Sequence, residues 1–252
     1  NSSKTTYRKY IRDNYMLDFK SFISEGLEDT ASFKAIMMAG GAGSGKSFVI
    51  ALTGLKSYGM KVSNSDPAFE GMLKRAGLEK NSEDIMSAQG QAIRGKAKVL
   101  TDKQKAMWLK GRLGIVIDGT GKDLDDVKEE CQQMMDIGYD VGMIFVNTDL
   151  EVSIQRDKDR ERTLGTKLVT DVWKAVQANR NDFKKMFGKQ FVEIQNGSVG
   201  EDQIDITAEA NKAMNMFKNW INTEPTHAIY KNWKKAEMKK KGITSFKRTP
   251  VK

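Results

Sequence analysis

The sequence predicts a three-layer α/β fold: a mostly parallel five-stranded sheet with helices on both faces, a helical extension before it and a helical, basic tail after it. Two observations carry that prediction. Short apolar runs alternate with longer stretches of helical periodicity, the order that gives parallel strands joined by right-handed crossovers. The first of those runs, Ala35 to Ala39, leads directly into a glycine-rich turn and then a helix. Within the turn, Gly40, Gly45, Lys46 and Ser47 fit the G-x-x-x-x-G-K-[ST] pattern of the phosphate-binding loop of P-loop NTPases.

That pattern has a physical reading. Glycines at 40, 41, 43 and 45, with Ala42 and Ser44 between them, let the backbone turn tightly and aim its N–H groups at a nucleotide's phosphates. The following helix, expected over Ser47 to Tyr58, adds the positive end of its dipole. Lys46 then reaches the β- and γ-phosphates, and the Ser47 hydroxyl ligates Mg²⁺.

Composition narrows the chemistry. With 252 residues, 39% hydrophobic and 30% charged, the chain is long enough to bury a sizeable core. No run of about 18 apolar residues exists, and NSSKTTYRKY lacks a signal peptide's apolar stretch, so the expectation is a cytoplasmic protein with no membrane contact. No Met stands at residue 1, which implies processing, tagging or trimming. Cys131 is the only cysteine, excluding an intramolecular disulfide and a cysteine-rich zinc site. His227 is the only histidine and falls outside the core stretch, so a carboxylate is the better general base. The charge of +9 sits at the ends. Residues 226 to 252 carry eight lysines and one arginine against Glu237, and residues 1 to 20 carry five basic and two acidic groups, leaving −2 between. The tail also holds Tyr230, Trp233 and Phe246, which suits nucleic acid through phosphate neutralisation and base stacking. A solvated amphipathic helix folded back on the core explains it equally well.

The elements follow in order. Tyr10, Ile11, Met16, Leu17, Phe22 and Ile23 recur at helical spacing in an N-terminal extension, residues 1 to 32. The core, residues 33 to 200, begins with the strand and loop already described. A second strand, Met60 to Ser63, ends in Asn64-Ser65-Asp66-Pro67, where Asp66 and Pro67 read as the N-cap and first residue of a helix with Phe69, Met72 and Leu73 on its apolar face. The competing reading of Asp66 is a base at a strand's C-terminal end, where open α/β sheets gather ligands, placed to accept the proton of an acceptor hydroxyl. Residues 77 to 110 read as polar helix inserted before the third strand. Gln89, Gln91 and Arg94 are candidates there for acceptor recognition, with a solvated face as the alternative; Met107 and Trp108 are read as anchors to the core.

Gly114 to Gly119 is a buried strand closing on Asp118, a Walker-B type carboxylate for Mg²⁺. The next residue is Gly119 where a motor ATPase would usually place Glu. The guanine-reading N-K-x-D is also missing, since Asn147 is followed by Thr148 and Asp149. Hydrolase and switch readings weaken accordingly. A helix from Asp123 to Ile137, a strand from Asp140 to Asn147 and a helix from Leu150 to Arg160 come next. Arg156 and Arg160, at i,i+4 on one face, and Arg162 read as a lid over the transferred group. Pairing with Asp157, Asp159 and Glu161 on a solvated helix is the alternative. A break at Thr163 to Thr166 precedes a long helix, Lys167 to Phe187, with Val169, Val172, Trp173, Val176 and Phe183 on one face. The last strand, Phe191 to Gln195, ends at Asn196-Gly197, where the nucleotide base is expected. The C-terminal helix, from about Ile204 to Ile221, and the basic tail make up residues 201 to 252.

The order of motifs resembles the zeta-toxin-like and polynucleotide-kinase-like P-loop kinases, especially the small kinases encoded by large tailed phages. The resemblance runs from about Phe33 to Gly197. It rests on GGAGSGKS at 40 to 47, NSDPAFE at 64 to 70, IDGTGKD at 117 to 123, FVNTDLEVSIQRDKDRER at 145 to 162 and VWKAVQANRNDF at 172 to 183. It implies a kinase-type core in which Lys46 and Ser47 bind ATP and Mg²⁺, Asp66 is the general base and Arg156, Arg160 and Arg162 form the lid. Toxin activity and its amino-sugar nucleotide substrate are not carried over.

The resulting expectation is an ATP-dependent kinase transferring the γ-phosphoryl group to a hydroxyl. The acceptor is nucleic acid, at a 5′ end or a hydroxymethylated base in phage DNA, bound through residues 226 to 252. The alternatives are a small metabolite or nucleotide sugar, or a nucleotide-binding virion protein without turnover. A phage-encoded kinase would work in the host cytoplasm. The sequence leaves the oligomeric state open.

Overall fold

The computed structural model describes residues 26–160, 163–197 and 206–247. The strand β1, Lys34–Ala39, is buried at every position, as a strand covered on both faces must be. It is central in a five-stranded sheet that also contains β2 (Lys61–Ser63), β3 (Ile115–Asp118), β4 (Asp140–Asn147) and β5 (Phe191–Gln195), in the order β2-β3-β1-β4-β5. Every pairing is parallel, with Met38 opposite Asp118 on one side and Ile144 on the other. All five strands therefore end on one side of the sheet.

Alternation along the strands builds two cores. Ile36 and Met38, with Ile144 and Val146, face the helices α1 (Lys46–Leu52) and, near the C-terminus, α8 (Ile206–Asn222), which contributes Ala213, Phe217 and Ile221. Ala35, Met37 and Ala39, with Met143 and Phe145, face α5 (Leu124–Asp136), α7 (Thr166–Phe187) and α9 (Ala228–Lys241). Cys131 lies in this second core, its thiol pushed up to about 12 by burial and by the Glu130 carboxylate, so it is an apolar filler rather than a nucleophile. Between β2 and β3, α2 (Asp66–Arg75), α3 (Ser82–Met86) and the long α4 (Ala88–Lys110) enclose a separate small core of Phe69, Leu73, Ile85, Ile93 and Ala97. The remaining helix, α6 (Leu150–Lys158), follows β4.

Several elements depart from the sequence pattern. The helix after the loop stops at Leu52, because Gly54 takes a left-handed conformation at φ 61°, and the chain continues as a 3-10 turn over Leu55–Tyr58. The apolar positions from Tyr10 to Ile23 lie outside the described residues; residues 26–33 are turns leading into β1. Trp108 packs against the second core, whereas Met107 is exposed. The tail's aromatics are not displayed for stacking. Tyr230 is buried, and both Tyr230 and Trp233 pack on the Phe33 ring, with centroids at 5.5 and 5.2 Å.

One charge is locked into the frame. Lys34 is fully buried, reaches Asp140 at 2.8 Å across β1 and β4, and lies over the Trp220 ring. Replacing one partner of such a pair leaves the other charge uncompensated in low dielectric. Asp140→Asn should therefore cost about 2–3 kcal/mol in urea unfolding, towards the low end of buried-pair losses because the carboxylate keeps some solvent.

Candidate active site

The loop between β1 and α1 is held from behind. Its Ser44 carbonyl accepts from Asn196 Nδ2 at 2.6 Å, and the Thr148 hydroxyl lies 3.2 Å from the same oxygen. Arg156 Nη1 donates to the Asn196 carbonyl at 2.9 Å and to Gly43 O at 3.4 Å. Trp173 donates through Nε1 to Thr148 O at 2.7 Å and packs on Gly41. The glycines are needed for this closeness. A Cβ on Gly43 (φ 78°) would come within 2.4 Å of the Ser153 carbonyl, and one on Gly45 (φ 81°) within 2.3 Å of Asn196 Nδ2. Asn196 is thus a buried strut, with its side-chain amide engaged beneath the loop rather than held free at a base edge.

Charged groups converge in front of the loop. Lys46 Nζ turns back onto Gly40 O at 2.8 Å and Gly41 O at 3.2 Å. Burial lowers its pKa, as does nearby Arg160, while Asp118 and Asp66 act in the opposite direction. Burial raises the Asp118 pKa, Lys46 opposes that shift, and Asp66 adds to it. The strand ends and the start of α2 therefore bring Asp118, Asp66 and Arg160 within electrostatic reach of Lys46, and the two acids within reach of each other. Ser47 is exposed in the first turn of α1.

Asp66 is not the helix cap expected from Asp-Pro. Ser65 occupies the N-cap position, Asp66 is the first helical residue, and its N–H is taken by Asn64 Oδ1 at 2.8 Å. The Asp66 carboxylate is thereby released from capping and is exposed. The lid helix also ends early. Asp157 is buried and accepts from the backbone N–H groups of Leu164 and Gly165, turning the chain after Lys158. Arg160 therefore lies beyond the helix and does not share a helical face with Arg156, although the two remain electrostatic neighbours. Of the carboxylates that could pair with them, Asp157 accepts from those amides and Asp159 accepts from Gln155, while Glu161 lies outside the described residues. Arg162 lies outside the described residues.

On the acceptor side, Arg94 stacks over the Phe69 ring at 4.5 Å, one helical turn along α2 from Asp66. Gln91 donates to Ile85 O, and Gln89 is exposed. Among the described residues no cluster of three His, Cys, Asp or Glu could hold a metal ion. One carboxylate, Asp118, and one hydroxyl, Ser47, fit Mg²⁺, which takes few protein ligands and completes its shell with phosphates and water. No helix among the described residues is long and apolar enough to cross a membrane.

The sequence pattern missed the part that three of these groups play. Asn64, Thr148 and Asn196 act through hydrogen bonds made across the fold, and no spacing in the chain marks such bonds.

The family model described as Zeta toxin matches residues 23–195. No curated protein matches in sequence. Among solved structures, the AvrRxo1-ORF1:-ORF2 complex in its native form aligns with TM-score 0.53 at 15% identity, over 90% of this chain and 82% of the other. The same pair solved with ATP aligns with TM-score 0.52 at 17% identity, over 72% and 61%. A shikimate kinase from Bacteroides thetaiotaomicron aligns at 0.45 and 15%, over 73% and 98%. The chain spans about three fifths of the length of the first chains it matches.

The raised Asp118 pKa fixes the sign of a pH effect. Its ionised form is disfavoured in the folded, nucleotide-free protein, so stability is lost as pH rises from the ordinary carboxylate range through the raised value. In EDTA, Asp118→Asn should melt above wild type at neutral pH and converge with it at acid pH, where both side chains are uncharged; a melting temperature below wild type at neutral pH would contradict the assignment.

Proposed function

The chain belongs to the zeta toxin family, and from that premise we propose that it is an ATP-dependent kinase that moves the γ-phosphoryl group to a hydroxyl acceptor. One observation carries the reading: Lys46 turns back onto the Gly40 and Gly41 carbonyls of a phosphate-binding loop, with Asp118, Asp66 and Arg160 close enough to act on its charge, where the strands end. The loop N–H groups and Lys46 bind the β- and γ-phosphates. For this, Lys46 exchanges its two loop carbonyls for phosphate oxygens. The acceptor oxygen bonds to the γ-phosphorus, the bond to the β–γ bridging oxygen breaks, ADP leaves, and the hydroxyl proton passes to the Asp66 carboxylate. Arg160, with Arg162, balances charge on the transferred group, while Arg156, predicted with them, braces the loop through Gly43 and Asn196. Ser47 and Asp118 would hold Mg²⁺, which would supply further neutralisation of phosphate charge.

For the acceptor, Arg94 favours a molecule with an anionic group near its hydroxyl. Its guanidinium is oriented by Phe69 rather than by a carboxylate, close to the base-bearing end of α2. A phosphate meets that requirement in both a nucleic acid, the 5′ end or hydroxymethylated base of a phage-type kinase, and a nucleotide sugar. The tail supports the nucleic-acid version only through charge. Tyr230 and Trp233 are committed to the core, and Lys234 and Lys240 pair with Glu224 and Glu237, leaving Lys231, Lys235 and Lys239 on the exposed face. A phage-type kinase of this kind would act in the cytoplasm.

The test is transfer of labelled γ-phosphate from ATP into single-stranded DNA, hydroxymethyluracil-containing DNA, and pools of metabolites and nucleotide sugars. Asp66→Asn should keep ATP affinity and lose about 10²–10⁴-fold in transfer; full retention would remove Asp66 as base. Arg94→Ala should raise the acceptor KM about tenfold or more while leaving the ATP KM alone, the loss expected for one charge-assisted hydrogen bond. Truncating the tail would strip Tyr230 and Trp233 from the core, so Lys231→Gln, Lys235→Gln and Lys239→Gln together are the cleaner probe. The nucleic-acid version expects them to flatten the salt dependence of DNA binding, the slope falling by roughly one for each phosphate no longer neutralised.

A further inference from the structure

We propose that Asn64 is a positioning residue that ties the Asp118 carboxylate to the start of the helix carrying Asp66, fixing the two acids relative to each other. The inference rests on the kinase reading above. Ser63 pairs with Ile117, so the next residues along the parallel register are Asn64 and Asp118. Asn64 Nδ2 donates to Asp118 Oδ2 at 2.8 Å, and Asn64 Oδ1 accepts the Asp66 backbone N–H at 2.8 Å. Its partners dictate the amide's orientation, since an ionised carboxylate only accepts and a backbone N–H only donates.

Few side chains can do both. An aspartate has no donor for Asp118, and an alanine has neither group. A glutamine adds a methylene and loses the short turn by which Asn reaches the N–H two residues on. The position matters because Asp66 and Asp118 are like charges acting on each other, and Asn64 bonds to the side chain of one and the backbone of the other. Partners one shell out from a metal ligand typically change metal affinity or activity by about 10- to 100-fold when removed.

The experiment compares wild type, Asn64→Ala and Asn64→Asp. Mn²⁺ binding to the protein–ATP complex is followed by electron paramagnetic resonance, ATP binding in EDTA by tryptophan fluorescence, and turnover by phosphate transfer. Asn64→Ala should weaken Mn²⁺ binding and lower kcat, each about 10- to 100-fold, with metal-free ATP affinity unchanged. Asn64→Asp keeps the acceptor for the Asp66 N–H but not the donor to Asp118, so its kcat should be no better than that of Asn64→Ala. Wild-type Mn²⁺ affinity and kcat in Asn64→Ala, or wild-type kcat in Asn64→Asp, would overturn the role of Asn64 and leave the kinase reading intact. A wild-type protein that neither binds ATP nor transfers phosphate would overturn the kinase reading and this inference with it.

Discussion

A loop that turns its N–H groups toward an anion must find donors for the carbonyls it turns away. In this protein that requirement falls on Ser44, whose carbonyl is met by the Asn196 amide and the Thr148 hydroxyl. Both residues follow the ends of neighbouring strands, and Arg156 joins them from α6. The loop's shape therefore depends on β4, β5 and α6 being in place at once. Because Gly43 and Gly45 have no side chains, the supports press directly on the backbone.

The front of the loop is the opposite case. Lys46 and Asp118 are both pushed away from their charged forms by burial, and each partly compensates the other. On the proposed kinase reading, phosphates and a cation would offset this imbalance, beyond the bonds Lys46 makes to the loop and Asp118 to Asn64. Such an arrangement costs stability when empty and gains binding strength when filled. Two local turns serve the same end: Asn64 frees the Asp66 carboxylate from capping, and Asp157 directs the chain that carries Arg160.

The segment between β2 and β3 has its own small core, so α2 and α4 form a unit that leans on the sheet without being part of its two main layers. That gives the segment, to which the proposed function assigns the acceptor, a frame distinct from that of the phosphate loop, with Asp66 and Asn64 at the junction. At the other end of the chain, aromatic residues that suggested a nucleic-acid surface are instead the means by which α9 attaches to the core, through the Phe33 ring. Composition cannot distinguish these uses, since an aromatic residue beside lysines looks the same whether it faces solvent or sheet.

The chain alone determined the strand order in sequence, the parallel sheet and the phosphate loop, because alternating apolar runs and glycine spacing are local signals. It also marked Asp66 and Asp118 as acids at strand ends. Tertiary structure decided what those residues touch. It moved the cap from Asp66 to Ser65 and Asn64, ended α6 two residues before Arg160, and turned Asn196 from an expected base contact into a strut. It also separated Arg94, held on Phe69, from Gln91, which bonds to its own helix connection. These outcomes depend on individual hydrogen bonds and ring contacts, some local, as at Asn64 and Asp157, and some between distant segments, as at Asn196 and Arg94, and such interactions leave no periodicity in the sequence to be read.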